Sequence, residues 1–400
     1  VCEAVVNPLV ATLFPNNKTH YLNILHAGWP AGLVLGGLAS TFMAAKTDDL
    51  GKLISPAVDW KIQMSLFLIP VIFYGVMLLG QRFPKSEAAS AGVTVGQMIG
   101  TVFAPLMVVL LLLHAMVGYV ELGTDSWISK ITGSIMASPQ KGLMLFVYTS
   151  LLMFALRFVA GPIVHKISPL GLLFVSGIFG AVGLTLLGNA VGGLMCVIAA
   201  TVYALGKTFL WPTMLAVASE RFPKGGAVAI GMMGGIGMLS AGLLGGPAIG
   251  YKQDYFASKN LEQQAPETYQ RYAVSEPKGF LFLPKIKGLD GAKVGVLADQ
   301  GKELGNVGAA LAKENKKDPN YEALAGWWTT AETAANKDAA PVGAATLEGG
   351  RMALKITAAV PAAMAVLYLI LILYFKSKGG YKALHVEGEK MTGGVEAPVR

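Results

Sequence analysis

The stretch TVFAPLMVVLLLLHAMVGYVEL, residues 101–122, decides the fold class. Its only His, Asp, Glu, Lys or Arg residues are His114 and Glu121. A hydrocarbon layer about 30 Å thick needs about 20 apolar residues per helix, because every backbone N–H and C=O must be paired within the segment. The stretch is therefore predicted to cross a membrane as a helix.

Seven further windows satisfy the same rule, at residues 21–43, 61–80, 142–163, 169–188, 191–217, 226–250 and 354–375. Connections between them are predicted to be short, with Thr124–Lys141 and His165–Ser168 among them. Residues 1–14 form one more apolar run, with no signal-peptide pattern before it, and we expect this run to be the end of an earlier helix. The sequence predicts an all-α polytopic membrane protein that lacks its N-terminal helices.

The composition excludes several function classes. Hydrophobic residues make up 54% of the 400 residues and charged residues only 14%, against about 25% charged residues in soluble domains. The net charge of +8 comes from basic residues that stand singly between apolar runs, which favours anionic lipid headgroups as partners over nucleic acid. Cys2 and Cys196 give neither a disulfide framework nor a metal-binding spacing, so no metal or cofactor is expected.

One segment differs from this apolar body. Between Tyr251 and Met352 lie 13 basic and 13 acidic residues, the density of a water-facing insert. It contains neither His nor Cys, and we expect a partly ordered cap that includes a strand-like run, Phe280–Leu283. The predicted regions are residues 1–81 (remnant of an N-terminal transmembrane half), 82–100 (linker), 101–250 with 353–376 (C-terminal transmembrane half), 251–352 (insert) and 377–400 (tail).

Basic residues near the helix ends predict the orientation. Nine of them fall on the side of the tail, whereas the short loops of the other side carry five. The positive-inside rule therefore places the tail and the linker in the cytoplasm and the insert outside the cell.

Two polar groups near the start of the chain are predicted to form one site. Glu3 and Asn7 are four residues apart, so they share a helix face, and an ionisable group at membrane depth suggests function. Asn23, His26 and Trp29 form a second polar and aromatic stripe. Hydrogen-bonding groups beside an indole ring suit the hydroxyls and the C–H face of a sugar.

Further candidates lie in the later helices. His114 is predicted to face a cavity, whereas Glu121 and Asp125, four residues apart where the predicted span ends, are expected to be a solvated interfacial pair. Lys207 and Trp211 share a helix face and are predicted to line the pathway. Three basic residues, Arg157, His165 and Lys166, are predicted to lie at a cytoplasmic helix end, where snorkelling to headgroups is sufficient explanation and gating is the functional alternative.

These residues resemble a known pattern. Glu3-Ala-Val-Val-Asn7-Pro8 is similar to the Glu-x-x-x-Asn-Pro of helix 4 in the fucose, galactose and glucose proton symporter group of the major facilitator superfamily, and Leu22-Asn23 resembles the Leu-Asn that opens helix 5 of that group. The resemblance implies that helices 4 (part) to 12 are present and that helices 1 to 3 are absent. His26 stands where the group tends to have Gln, and Trp29-Pro30 where Asn-Pro is usual. Residues 161–169 loosely resemble the superfamily's gating motif, with His165 and Lys166 at its Asp and Arg positions.

The resemblance implies a secondary transporter of a bacterial inner membrane that carries a monosaccharide or a similar small polar solute together with a proton, by alternating access. Glu3 would be the protonation site, and the solute would be bound by Asn7, Asn23, His26, Trp29, His114, Lys207 and Trp211. Lys207 leaves open a sugar acid or another organic anion as the substrate. A membrane sensor that binds a ligand through the insert is the alternative from another class, and no span holds a nucleophile and base set that would favour an enzyme.

Overall fold

The computed structural model of this chain describes residues 2–47, 53–83 and 86–386. The described residues form a helical bundle, in which eight helical runs are long and apolar enough to cross a membrane. The prediction of an all-α polytopic protein is therefore confirmed.

The first part of the chain contains short helices and one small β-ribbon. The two strands pair in antiparallel fashion, and no residue of the helices between Trp60 and Leu78 is buried. A capping box, in which Thr94 and Gln97 bond each other's backbone N–H groups, fixes the start of the seventh helix. The elements are α1 (Cys2–Leu13), α2 (Lys18–His26), α3 (Gly28–Met43), β1 (Lys46–Thr47), β2 (Leu53–Ser55), α4 (Trp60–Ser65), α5 (Leu68–Leu78), α6 (Glu87–Ser90) and α7 (Val95–Val102).

The second part holds the main hydrophobic core. Its centre is the thirteenth helix, in which every residue from Leu210 to Glu220 is buried. The helices are α8 (Pro105–Gly118), α9 (Thr124–Ile135), α10 (Pro139–Arg157), α11 (Ala160–Gly188), α12 (Gly193–Lys207), α13 (Leu210–Arg221), α14 (Gly226–Ser240) and α15 (Gly246–Gln264). Two π-helical turns, Tyr119–Gly123 and Ala241–Gly245, join α8 to α9 and α14 to α15.

The predicted connection Thr124–Lys141 is wrong over most of its length. The chain continues as α9 to Ile135, and only Met136–Ser138 separate α9 from α10. Ile128 and Ile131 are three residues apart and both buried, so one face of α9 packs onto the bundle. The helix is thus stabilised beyond the apolar window that its hydropathy indicated.

Proline residues accompany breaks in several of the membrane helices. A proline has no N–H to donate to the carbonyl four residues earlier, and its ring displaces that carbonyl. Pro30 breaks the helix between α2 and α3, Pro212 breaks it between α12 and α13, and Pro162 accompanies the break between α10 and α11. Each break leaves one carbonyl that another group can use.

The predicted connection His165–Ser168 is wrong, because the chain breaks earlier, between α10 and α11. Helical structure resumes at Ala160 and continues to Ser168, where a positive φ of 65° before Pro169 kinks the chain. His165 and Lys166 are exposed near that kink. Arg157 therefore lies within the bundle, more than two helical turns before the kink, and not at the exposed end.

The insert is helical and has its own core. Leu261, Tyr272, Val296, Trp328 and Val342 pack together away from the main core. The predicted strand-like run at 280–283 is wrong, because it lies in a turn where Phe282 is 91% exposed. α15 enters the insert without a break, and the chain continues as α16 (Pro266–Tyr272), α17 (Gly291–Asp299), α18 (Lys302–Lys313), α19 (Pro319–Ala331), α20 (Ala335–Thr357) and α21 (Ala359–Ser377).

Candidate solute-binding site

A cavity of about 390 Å³ lies where the first helices of the chain meet the later ones. Its wall combines an apolar surface with a few polar groups, as small-molecule sites usually do. Both α2 and α3 contribute, as do α10 and α13. The lining residues are Val6, Asn7, Leu25, His26, Gly28, Trp29, Tyr74, Glu121, Leu122, Arg157, Trp211 and Met238.

Four of the residues predicted to bind solute line this cavity: Asn7, His26, Trp29 and Trp211. His26 Nε2 lies 2.9 Å from Asn7 Oδ1, and since Oδ1 can only accept, the ring N–H donates. Trp29 is 49% exposed, whereas Trp211 is 3% exposed. The fold thus brings together residues, selected from the sequence, that are up to about 200 positions apart. Their predicted role in solute binding stays a prediction.

An ion pair forms the most polar part of the wall. Arg157 Nη2 lies 3.1 Å from Glu121 Oε1, and the two side chains are 1% and 3% exposed. The backbone N–H of Trp211 donates to the other oxygen of Glu121 at 3.3 Å. Snorkelling to lipid headgroups, the interpretation favoured for Arg157 from the sequence, is wrong, because the guanidinium is buried beside the cavity.

Two of the proline breaks supply acceptors for Arg157. Pro212 cannot donate to the carbonyl of Thr208, and Arg157 Nε donates to that oxygen at 3.0 Å. Pro30 cannot donate to the carbonyl of His26, and Arg157 Nη1 donates to it. The two Trp-Pro pairs, Trp29-Pro30 and Trp211-Pro212, thus place both an indole ring and a freed carbonyl at the site.

A second ion pair lies behind the wall. Lys207 Nζ is 2.5 Å from Asp125 Oδ1, and the two side chains are 1% and 10% exposed. The ammonium group also lies 5.5 Å and 5.7 Å from the ring centres of Tyr203 and Phe146. Lys207 is not among the residues that line the cavity, and its predicted place on the solute pathway stays a prediction.

The expected solvated pair of Glu121 and Asp125 is wrong. The π-helical turn and α9 carry both carboxylates into the bundle, and each one is neutralised by a different cation. The signal that sequence reasoning missed was charge balance: two carboxylates and the two cations Arg157 and Lys207 lie in otherwise apolar helices. Buried charges are almost always paired.

Two other predicted residues support the wall instead of lining it. Asn23 Nδ2 donates to the carbonyl of Thr19 at 2.8 Å and to Thr213 Oγ1 at 3.3 Å, which ties α2 to α13. The ring of His114 is fully buried and packs 4.5 Å from the ring of Trp211. A Cβ on Gly237 would lie 2.6 Å from the Trp211 ring, so that glycine permits the ring's position.

The remaining predicted residues lie elsewhere. His165 and Lys166 are exposed at the kink in α11 and do not contact the cavity, so their gating role stays a prediction. The backbone of Glu3 belongs to α1, but its side chain lies outside the described residues. Among the described residues, no group of three or more His, Cys, Asp or Glu side chains could hold a metal ion.

Comparison with known proteins gives one family. The model of the Major Facilitator Superfamily matches residues 1–246, which is more than half of the chain. No curated protein matches the chain in sequence.

One solved structure is similar, that of a Major Facilitator Superfamily transporter, FucP, in the outward conformation. The two chains are 14% identical with a TM-score of 0.49, and the similarity covers 63% of this chain and 66% of that one. With the family match and eight helices able to cross a membrane among its described residues, this chain is an integral membrane protein that belongs to the Major Facilitator Superfamily.

Proposed function

We propose that the protein is a secondary transporter of a small polar solute, which binds in the cavity between the first helices and the later ones. The observation that carries the proposal is the composition of the wall: two indole rings, Trp29 and Trp211, stand beside the hydrogen-bonding groups of Asn7 and His26. Rings can cover the apolar face of a sugar while the polar groups bond its hydroxyls. A monosaccharide is the solute class that this wall fits best.

Charge balance supports a neutral solute. The one guanidinium among the described lining residues, that of Arg157, is paired with the one carboxylate among them, that of Glu121. A neutral sugar leaves this pair intact. An organic anion, the second candidate, is favoured only by the presence of Arg157 in the wall, because a carboxylate on the solute would have to compete with Glu121 for the guanidinium.

Coupling to protons is the finer part of the proposal, and it depends on the resemblance of residues 3–8 to the symporter motif. Glu3 would take up a proton on the outer side and release it in the cytoplasm, with the solute moving in the same direction. The inner-membrane location and the cytoplasmic tail belong to this proposal as well, since they depend on the same resemblance and on the distribution of basic residues.

The experiment measures uptake of a radiolabelled sugar panel by membrane vesicles that contain the full-length protein, with and without an imposed pH gradient. We expect uptake of one sugar to rise with the gradient and the rise to disappear in Glu3→Gln. Glu314→Gln, at an exposed position in the insert, is the matched control and should behave as the wild type. Gradient-driven uptake that survives in Glu3→Gln would remove Glu3 from the mechanism, and no uptake of any sugar would redirect the panel to organic anions.

Deletion of the insert separates a transporter from a sensor. α15 and α20 run without a break from the bundle into the insert and pack along each other, so residues 266–334 should be replaced by a short Gly-Ser linker that keeps both helices. A transporter is expected to retain uptake at an altered rate. A sensor that binds its ligand through the insert loses its response entirely.

A further inference from the structure

One turn of the insert exposes large apolar side chains at its tip. It has the sequence Gly-Phe-Leu-Phe-Leu-Pro at residues 279–284, and Leu281 and Phe282 are 68% and 91% exposed. Exposed apolar residues that stand singly need no explanation, but adjacent ones on a projecting turn mark a contact surface. The described part of the chain leaves both side chains uncovered, so a partner outside it is expected.

The turn has a fixed shape. The backbone N–H of Lys278 donates to the carbonyl of Ile286 at 2.8 Å, and the N–H of Ile286 donates back at 2.9 Å. The N–H of Leu283 closes the tip by donating to the carbonyl of Phe280 at 2.9 Å. Leu281 has a left-handed φ of 51°, which makes the reversal tight. The apolar tip is therefore held in place by its own backbone bonds and does not need the partner in order to form.

Tyr251 determines where the turn lies. Its hydroxyl donates to the carbonyl of Pro284 at 2.8 Å, and its ring centre is 6.5 Å from that of Phe280. Tyr251 belongs to α15 and precedes Lys252, the first charged residue after the apolar window 226–250. A membrane helix leaves the hydrocarbon layer where charged residues begin, and tyrosine rings are enriched at that level. The turn is thus attached to the helix at the surface of the bilayer.

The exposed apolar surface of the membrane helix continues into the turn. Leu243 and Leu244, in the π-helical turn before α15, are 65% and 38% exposed, and exposed leucines of a membrane span face lipid chains. The next exposed apolar residue is Pro247. It lines a cavity of about 420 Å³ together with Tyr251 and Phe280. One apolar surface therefore leads from the lipid-facing side of the helix to the tip of the turn.

The charges beside the tip are mostly positive. Between Ser275 and Gly288 the chain has one acidic residue, Glu276, and three lysines, all of them exposed. The lysines stand on both sides of the tip, at Lys278, Lys285 and Lys287. Lysine stems can lie along apolar surface at an interface while their ammonium groups stay among anionic headgroups. The surface fits anionic phospholipid better than a second copy of the chain, whose insert carries equal numbers of acidic and basic residues.

We propose that residues 279–284, here called the anchor turn, attach the insert to the bilayer around the protein. Leu281 and Phe282 enter the apolar part of the leaflet on the side of the insert, and the three flanking lysines bind the phosphates of anionic phospholipids. The anchor turn gives the insert a lipid contact in addition to its continuity with the bundle through α15 and α20. The inference depends on α15 crossing the membrane and is independent of the solute, the coupling ion and the side on which the insert lies.

The test measures how deep the anchor turn lies. A nitroxide label is attached to a cysteine that replaces Leu281, in full-length protein with its native cysteines replaced by serine and held as single copies in nanodiscs of phosphatidylcholine and phosphatidylglycerol. Power saturation in electron paramagnetic resonance reports collisions with oxygen, which concentrates among lipid chains, and with a nickel chelate, which stays in water. The label should collide mainly with oxygen.

Val307 is the matched control position, since it is an apolar residue of the insert that is 39% exposed, in α18. A label there should collide mainly with the nickel chelate. A label at Leu281 that is as accessible to nickel as the one at Val307 overturns the inference. A label at Leu281 that is shielded from both reagents, as it would be beneath a protein surface, also overturns it. If Leu281→Cys does not fold, the label is attached to Phe282→Cys, with the same expectation.

Two variants in the Leu281-labelled protein separate the apolar and the charged contributions. Phe282→Ser should shift the equilibrium between the embedded and the water-exposed turn about ten-fold toward water, because burial of an aromatic side chain favours the lipid by at least that factor. Val307→Ser should leave it unchanged. Lys285→Gln should shift it about five-fold, as expected for one cation at an anionic surface.

The lipid composition completes the test. In nanodiscs of phosphatidylcholine alone, the wild type should be less deeply embedded and Lys285→Gln should have no further effect. Equal depth with and without phosphatidylglycerol overturns the role of the lysines, and unchanged accessibility in Phe282→Ser overturns the anchor itself.

Discussion

The bundle and the insert each bury a carboxylate beside an arginine, but they surround it differently. In the insert, Asp338 accepts from Arg271 Nε at 2.8 Å and from Nη2 at 2.6 Å, and also from Thr268 at 2.8 Å. In the bundle, Glu121 has one contact with Arg157, at 3.1 Å. Arg157 also donates to backbone carbonyls of two other helical segments.

The difference shows which of the two pairs is more sensitive to a change of charge. The insert pair is bidentate, its arginine is 30% exposed, and its three residues belong to two helices of one small core. Such a pair fixes α16 on α20, because water solvates the arginine while the carboxylate is fully satisfied. The bundle pair is dry and shared among helices that meet at a cavity, so a change in its charge alters how those helices pack.

The largest effect is expected for Arg157→Gln, which breaks the bundle pair. An unpaired Glu121 and a lost link between His26 at the end of α2 and Thr208 in the break after α12 should lower the rate of solute uptake by about 1,000-fold, which corresponds to about 4 kcal/mol. Initial uptake rates in vesicles, normalised to the amount of folded protein, measure this. Lys141→Gln, which removes an exposed cation at the start of α10, is the control. An equally large loss of uptake in Lys141→Gln would show that the loss follows from removing any cation and not from breaking the pair with Glu121.

A smaller and local effect is expected for Asp338→Ala in the insert. Arg271 and Thr268 lose their common acceptor, but water can reach Arg271, so we expect the local stability of the insert to fall by about 2 kcal/mol. Hydrogen exchange of the amides in α16 and α20 measures it, while uptake should persist. Glu314→Ala removes the exposed pair with Lys316 and should leave exchange unchanged. Loss of uptake in Asp338→Ala would mean that the two regions are coupled.

Much of the fold could be predicted from the sequence because its determinants are local. About 20 apolar residues in a row have few alternatives to a membrane helix, and the eight spans follow from that rule. The length of α9 could not be predicted in this way, since burial of Ile128 and Ile131 depends on helices far away in the chain. The run Phe280–Leu283 was predicted wrongly because a short apolar run forms a strand only when another strand pairs with it, whereas this run lies in the turn between the paired residues Lys278 and Ile286.

The candidate site was only partly predictable. Asn7, His26, Trp29 and Trp211 were identified because polar and aromatic groups in apolar helices need a reason to be there. The pairing of Arg157 with Glu121 was not, because it depends on two carbonyls freed by Pro30 and Pro212 and on a π-helical turn. A proline's effect on the carbonyl four residues earlier can be stated from sequence, whereas the donor that uses the carbonyl is a matter of tertiary structure.

The smallest effect is expected at a third carboxylate, which extends the comparison to the end of the bundle. Glu220 accepts from Tyr381 Oη at 2.6 Å and from Thr19 Oγ1 at 2.8 Å, and its backbone carbonyl accepts from the N–H of Leu384 at 2.7 Å. Burial and the neighbouring Glu220 raise the pKa of Tyr381 well above its usual value, so its hydroxyl stays protonated and donates at neutral pH.

Tyr381→Phe removes this donor, and Thr19 remains as a hydrogen-bond donor to the carboxylate of Glu220. The local stability should therefore fall by only about 1 kcal/mol. The exchange of the Leu384 amide should then become about 5-fold faster, since about 1.4 kcal/mol corresponds to a factor of ten. Tyr374→Phe, at a half-exposed ring in α21, is the matched control and should not change it. An unchanged Leu384 amide in Tyr381→Phe would show that the backbone bond alone holds this segment on the bundle, and that Glu220, unlike Glu121 and Asp338, does not depend on its side-chain partners.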